Sequence, residues 1–319
     1  FMLGLSWSST ERMSSQQADL LTTEITAKDK ICPMEKRDCR PEVCPFARGF
    51  YDRLPAALEE GMTYSMLDRT QVSALAKKHQ VCPFELSLEL AMLSDVIVCD
   101  YNYVFDPLVA MDRLLQSPGG ASLLVDEAHQ LAPRVRDAYS AVLSLDTLRE
   151  LRRETGRQLG RKGGLYRALT DAIRAMKEIA SQEDFESLSA PPEPLYKAME
   201  RVREHAGEQL ALGAGAIAAD SFSLSSSYLF AAGRFDERYA LIAGGGEKHA
   251  RLELALLSAA DEILSVTKAA RGTVYFSATL APFDFTKTML GSEEGDACLF
   301  LPSPFDPAQL QARIKPIDI

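Results

Sequence analysis

The sequence predicts an α/β chain in which a doubly wound parallel sheet is interrupted twice, by a small cysteine-rich segment and by a long helical one. Three observations predict it. Short apolar runs of strand length, VIVC (Val96–Cys99), LLV (Leu123–Val125) and TVYF (Thr273–Phe276), alternate with helical texture. Four of the six cysteines, Cys32, Cys39, Cys44 and Cys82, fall in one stretch upstream of those strands. Between about residue 140 and residue 265 leucines recur at helical spacing, and the one suggestion of a buried strand is Tyr239–Ala243.

Composition bounds what such a chain can do. It has 319 residues, 46% of them hydrophobic, enough for a sizeable core and two or three domains. A net charge of −10 argues against a surface that binds polyanions all over, so any nucleic-acid contact is a local groove or patch. No run of 18 apolar residues occurs, and the start, FMLGLSWSSTERM, lacks the basic-then-apolar order of a secretion signal. No membrane association and a cytoplasmic location with reduced cysteines are expected. Starting on Phe1 rather than Met suggests a fragment or a processed chain.

In order along the chain, residues 1–20 read as the end of a helix, and Leu20–Ala27 has the β-branched content of a strand. The cysteines follow, with proline after Cys32, Cys44 and Cys82, which stiffens each turn and removes a backbone donor beside a thiolate. Four thiolates match the set an iron–sulfur cluster needs; they also match a zinc site, which usually has tighter pairs, and spacing alone leaves the two open. Cys99 and Cys298 read as cysteines that ligate nothing. Helices are expected at Ala47–Gly61, Thr70–His79 and Glu85–Ser94. Arg48, Arg53, Lys77, Lys78 and His79, with Phe46, Phe50 and Tyr51, suit either the wall of a single-strand channel or a solvated helix face, the commoner case. Tyr101 and Tyr103, in the loop DYNYVFDP after VIVC, read as core edges or stacking platforms. Leu108–Leu115 reads as a helix and Ser117–Gly120 as a turn.

The chemistry is concentrated at LLVDEAH, Leu123–His129. Ligands in parallel sheets sit beyond the carboxyl ends of the strands, where Asp126 and Glu127 fall. Nucleotide hydrolysis wants two such carboxylates. Asp126 would hold Mg²⁺ and Glu127 would orient or deprotonate the attacking water. His129 would couple the pair to a neighbouring motif, and Ser277 and Thr279, in SAT after TVYF, are placed to meet it. Further along, Arg149, Arg152, Arg153, Arg157, Arg161 and Lys162 form a basic stripe that suits phosphates or, slightly better given Glu150 and Glu154, an ordinary salt-bridged face. LPSPFDPAQ, Leu301–Gln309, reads as a linker.

DEAH followed by SAT, with a four-cysteine insert upstream and a helical insert between, resembles the XPD/DinG-like family of superfamily 2 DNA helicases, and ICPMEKRDCRPEVCPFARGFYDR suggests its bacterial DinG-like branch. The resemblance implies a RecA-like P-loop NTPase motor domain, a 4Fe–4S cluster, a helical arch, and ATP-driven 5′→3′ translocation on single-stranded or forked DNA, acting as a monomer. It implies that Cys32, Cys39, Cys44 and Cys82 ligate the cluster, that Asp126 binds Mg²⁺–ATP, that Glu127 activates water, and that His129, Ser277 and Thr279 couple hydrolysis to DNA. The implied division is first motor domain at 1–31, 86–140 and 266–300, cluster domain at 32–85, all-helical arch at 141–265, and a linker at 301–319 toward a second motor domain. No G-x-x-x-x-G-K-[ST] phosphate loop occurs; GRKGG (Gly160–Gly164) and GGGEK (Gly244–Lys248) lack its spacing. Little or no ATPase activity is therefore expected of these residues alone. Two other readings stay open: a single-stranded DNA-binding module that works without ATP, and a zinc-stabilised ATPase or nuclease component.

Overall fold

The computed structural model describes residues 2–3, 20–35, 38–110, 120–179, 184–213 and 215–302. The expectations at residues 4–19, most of Leu108–Leu115, Ser117–Gly119 and most of the linker lie outside them.

Its centre is a six-stranded, all-parallel sheet in the order β10-β5-β1-β4-β2-β3. β1 is Met2–Leu3 and β2 is Thr22–Glu24. The cysteine-rich stretch follows, with α1 (Lys28–Ile31), α2 (Phe50–Gly61), β3 (Met66–Leu67), α3 (Arg69–His79) and α4 (Pro83–Ala91). α3 starts on a capping box, Asp68 accepting from the Gln71 N–H while the Gln71 side chain accepts from the Asp68 N–H. The stretch has its own small core, Phe50, Leu54, Val72, Leu75, Leu86 and Leu90 among others, against which Cys82 packs. It also lends the main sheet its edge strand, since Thr22 and Thr23 pair with Met66 and Leu67. That strand is too short to leave a periodic signature.

β4 (Val96–Val98) leads into α5 (Asn102–Phe105), and β5 (Ser122–Val125) carries the acidic pair at its carboxyl end. Its inward side chains, Leu123 and Val125, are buried. α6 (Leu131–Tyr139) then turns its apolar face, Leu131, Ala132 and Val135, onto the core.

The next stretch corrects one expectation. Residues 141–265 are not all helical. α7 (Leu145–Gln158), α8 (Gly164–Ile179), α9 (Glu193–Ala211) and α10 (Ala216–Ala232) are the long helices, and Leu145, Leu148 and Leu151 point inward as their spacing requires. With them stands a four-stranded antiparallel sheet, β6-β9-β8-β7, built from β6 (Ala141–Ser144), β7 (Glu186–Ser187), β8 (Tyr239–Gly244) and β9 (Arg251–Leu256). The physical reason is on view in RLELAL, where Leu252, Leu254 and Leu256 alternate with Arg251, Glu253 and Ala255 and are all buried. Leu252 and Leu256 also stand four apart, so the pair alone satisfies a helix as well as a strand. A short α11 (Gly246–His249) joins β8 to β9.

α12 (Ala260–Lys268), β10 (Gly272–Tyr275) and α13 (Phe283–Leu290) return the chain to the parallel sheet. β10 pairs with β5 over four residues, Gly272 to Tyr275 against Ser122 to Val125. Among the described residues its other edge carries no strand, and Val274 there is 56% exposed.

Candidate active site and cysteine centre

The register of β10 on β5 builds the first site. Tyr275 stands opposite Val125, so the next residues, Phe276 and Ser277, come level with Asp126 and Glu127. The Phe276 N–H donates to the Val125 carbonyl (3.0 Å) and the Ala128 N–H to the Phe276 carbonyl (3.2 Å), carrying the pairing past the strand ends. Glu127 takes a left-handed backbone, φ 47°, costly for a residue with a Cβ. Its N–H donates to Asp126 Oδ1 at 2.8 Å, and its carbonyl accepts from the Gln130 N–H at 2.9 Å.

Four of the expected side chains meet here. The Ser277 hydroxyl donates to Glu127 Oε2 at 3.0 Å, and His129 Nδ1 lies 2.9 Å from Ser277 Oγ and 3.2 Å from Glu127 Oε2. A serine has one hydroxyl proton. With that proton given to Glu127, His129 Nδ1 must be the donor to Ser277, which fixes the ring's tautomer. The Thr279 N–H also donates to Ser277 Oγ at 3.2 Å, and the two hydroxyls are 3.3 Å apart. Asp126, Glu127, His129, Ser277 and Thr279 thus form one connected site. Tyr101 belongs to it too: its ring packs at the edge of the core, as one of its two expected roles requires, and its hydroxyl adds a contact that neither role foresaw. Its phenol donates to the carbonyl of Asp126 and, at 3.2 Å, to that of Glu127, while the Arg134 guanidinium lies over its ring at 5.7 Å. Burial pushes its phenol above the usual tyrosine range, the Asp126 carboxylate adding to the effect, so the donor stays protonated.

The second site is a cavity of about 270 Å³ lined by all four expected cysteines, with Lys28, Phe46, Phe50, Tyr51 and Glu85. Among the described residues no three His, Cys, Asp or Glu side chains close round a point tightly enough to hold a single metal ion. Four thiols lining one cavity supply the donor set of either an iron–sulfur cluster or a zinc ion. Cys82 caps the start of α4. Burial pushes its thiol up, opposed by the backbone N–H groups of Glu85 and Phe84 and by the Lys28 charge. Lys28 Nζ is held 3.0 Å from Glu85 Oε1 and 5.1 Å over the Phe84 ring, a cation beside thiols that bind metal only once deprotonated. The other two cysteines stand apart: burial pushes the Cys99 thiol up to about 12, and Cys298 is exposed.

The basic residues near this cavity mostly hold it together. The Arg53 guanidinium donates to the carbonyls of Pro45 (3.0 Å), Gln80 (2.6 Å) and Arg48, tying the Cys44 turn to the turn before Cys82. Arg48 in turn bonds the carbonyls of Pro41 and Glu42, each at 3.1 Å. Glu60 on α2 joins Lys78 (2.7 Å) and His79 (2.8 Å) on α3. Tyr51 is 81% exposed and meets the Phe50 ring edge-on. In the long insert Arg153 pairs with Glu150 and Arg157 with Glu154, the salt-bridged face expected of the basic stripe.

The Glu60 clamp has a pH signature. Lys78 and His79 hold its carboxyl below the ordinary glutamate value, so its stabilisation is full above the unfolded carboxylate's pKa and is lost as pH falls through the lower folded one. Acid titration of the melting temperature should therefore show a steeper loss for the unaltered chain than for Glu60→Gln, which lacks that titrating group. Parallel curves would mean the clamp contributes nothing.

Residues 3–148 match the DEAD_2 family model. A 92-residue stretch is 32% identical to the Fanconi anemia group J protein homolog of Gallus gallus, covering 29% of this chain and 7% of that one. Over 107 residues the chain is 31% identical to the regulator of telomere elongation helicase 1 homolog of Anopheles gambiae, 33% of this chain and 11% of that one. Over 121 residues it is 26% identical to the general transcription and DNA repair factor IIH helicase subunit XPD of Dictyostelium discoideum, 38% and 14%. These matches span only a small part of each relative. A solved structure titled truncated XPD superposes with a TM-score of 0.57 at 14% identity, covering 91% of this chain and 84% of that one, a likeness of fold.

Proposed function

We propose that this chain is an XPD/DinG-like superfamily 2 helicase, part of an ATP-driven motor that moves 5′→3′ along single-stranded DNA; the DEAD_2 match over residues 3–148 and the likeness of fold to truncated XPD support the reading. The observation that carries the reading is the Glu127–Ser277–His129 network, which joins the acidic end of β5 to the end of β10. A carboxylate that must handle a water is there held by a hydroxyl, and that hydroxyl answers to a histidine.

The residues divide the work by position. Asp126, its Oδ1 committed to the Glu127 N–H, offers its carboxylate at the strand tip. A Mg²⁺ ion there would be held by one or two carboxylates and the substrate's own phosphates. Such an ion supplies charge neutralisation at the phosphates. Glu127 orients the attacking water and takes its proton; Ser277 and His129 fix the angle at which it does so, and a shift of β10 relative to β5 reaches Glu127 through them. The sequence has no G-x-x-x-x-G-K-[ST] loop, and a further parallel strand bearing one would extend the sheet at β10, whose outer edge carries no strand among the described residues. Cys32, Cys39, Cys44 and Cys82 would hold a 4Fe–4S cluster, a structural or redox-sensing group, since phosphoryl transfer does not call for iron.

The test is unwinding by a polypeptide that joins this chain to a phosphate loop and a second motor domain. Forked DNA with a 5′ single-stranded tail should be opened only with ATP and Mg²⁺. Opening from a 3′ tail would reverse the polarity, and DNA binding indifferent to nucleotide would instead indicate a passive binding module.

A further inference from the structure

We infer that Tyr101 is a positioning residue for the acidic pair, its phenol holding the Asp126 and Glu127 carbonyls so that the Glu127 side chain stays aimed at Ser277 and His129. The inference builds on the hydrolytic reading above, but its geometry stands without it.

Only two described non-glycine residues have positive φ, Gln80 and Glu127. Gln80 closes α3, where a left-handed residue is an ordinary helix ending. Glu127 lies in the turn between the end of β5 at Val125 and a single 3₁₀ turn at Ala128–Gln130, a place with no such helix ending, and its conformation needs holding from outside. Three backbone hydrogen bonds do part of that: its N–H to Asp126 Oδ1, its carbonyl from Gln130, and the Ala128 N–H to Phe276. None of them restrains the Asp126 carbonyl. Tyr101 does, and the Glu127 carbonyl shares its single hydroxyl proton, so one hydroxyl bridges the carbonyls on either side of the Glu127 Cα.

The anchor itself is firm. Tyr101 follows β4, which is separated from β5 by β1, so the phenol reaches across the carboxyl end of the intervening strand. Arg134, on α6, lies over the ring, and the residues after Tyr101 are buried, Tyr103, Val104 and Phe105 together. A side chain fixed at both ends on a rigid sheet can set an angle, which a surface tyrosine cannot.

The consequence is chemical as well as geometric. While Glu127 is aimed at Ser277 it takes the hydroxyl proton, and His129 must carry its own proton on Nδ1. If Glu127 swings away, Ser277 is free to donate to Nδ1, and the ring proton moves to Nε2.

The ring tautomer is therefore the readout. The chain has four histidines, so histidine labelled with ¹⁵N gives four ring systems, assigned by replacing each in turn. At alkaline pH, where imidazole is neutral, the unaltered chain should show His129 protonated on Nδ1. Tyr101→Phe should move that proton to Nε2 and leave the other three rings unchanged; Tyr103→Phe, the loss of a neighbouring buried hydroxyl, should not move it. Arg134→Met, which keeps the phenol but frees the ring, should shift His129 the same way by less, and it decides the matter should Tyr101→Phe fail to fold. An unshifted His129 in Tyr101→Phe, or an equal shift in Tyr103→Phe, overturns the inference. In an ATP-hydrolysing polypeptide Tyr101→Phe should lower kcat about tenfold with KM for ATP unchanged, the mark of lost orientation. Unchanged kcat beside an inactive Glu127→Gln overturns the inference; an active Glu127→Gln overturns only the hydrolytic reading, and the tautomer still decides for Tyr101.

Discussion

Glu127→Gln, in a polypeptide supplied with a phosphate loop and second motor domain, should lower ATP turnover about 10²–10⁴-fold and leave KM for ATP nearly unchanged. The amide matches the carboxylate in size, and its oxygen can still accept from the Ser277 hydroxyl, so the network keeps its shape. What goes is the group that takes a proton from water. Steady-state turnover with and without single-stranded DNA measures it. Retention of more than about a tenth of the wild-type rate would remove Glu127 from the chemistry, because positioning alone does not replace a base at that efficiency. Asp126→Asn should fail differently, by weakening the Mg²⁺ dependence first.

The second large effect is expected at Cys44. It is the most buried of the four thiols around the cavity, 7% exposed, and Arg53 and Arg48 brace the turns beside it. Purified without oxygen, the unaltered chain should carry about four irons and absorb at the blue end of the visible spectrum. Cys44→Ser should lose nearly all the iron, and the cysteine-rich stretch should melt earlier, because binding energy at such a centre is also folding energy. Cys99→Ser and Cys298→Ser should keep both colour and iron, one thiol being pushed up by burial and the other standing away at the surface. A colourless chain with one zinc would show that the four thiols had been read for the wrong metal.

How much of this was legible beforehand depends on how local each feature is. LLVDEAH and TVYFSATL each declare a strand and its tip within a few residues, so Asp126, Glu127, His129, Ser277 and Thr279 could be named before their contacts were known. The four cysteines were legible for the same reason. Tyr101 was not, since the partner of a hydroxyl is decided by which strand lies two places away in the sheet. Nor was Arg53: a guanidinium on an amphipathic helix looks alike in sequence whether it meets DNA or folds back on the Pro45, Arg48 and Gln80 carbonyls. β6 and β9 were missed because four- and six-residue strands, set among long helices, offer too few repeats for alternation to outweigh the surrounding pattern.

The pairing of those two strands bears on how the chain reaches its native state. β5 and β10 are neighbours in the parallel sheet, yet everything from Asp126 to Arg271 lies between them. Parallel partners so far apart meet slowly, because the intervening loop must be closed before any contact rewards it. β6 and β9 run antiparallel near the start and end of that loop, Ala141 against Leu254 and Ser144 against Arg251. Once they zip, the loop that β5 and β10 must still close shrinks to two short arms, which lowers its entropic cost by about 1 kcal/mol. The neck of the insertion thus acts as a drawstring, and the order of assembly it favours is insertion first, DEAH–SAT pairing second.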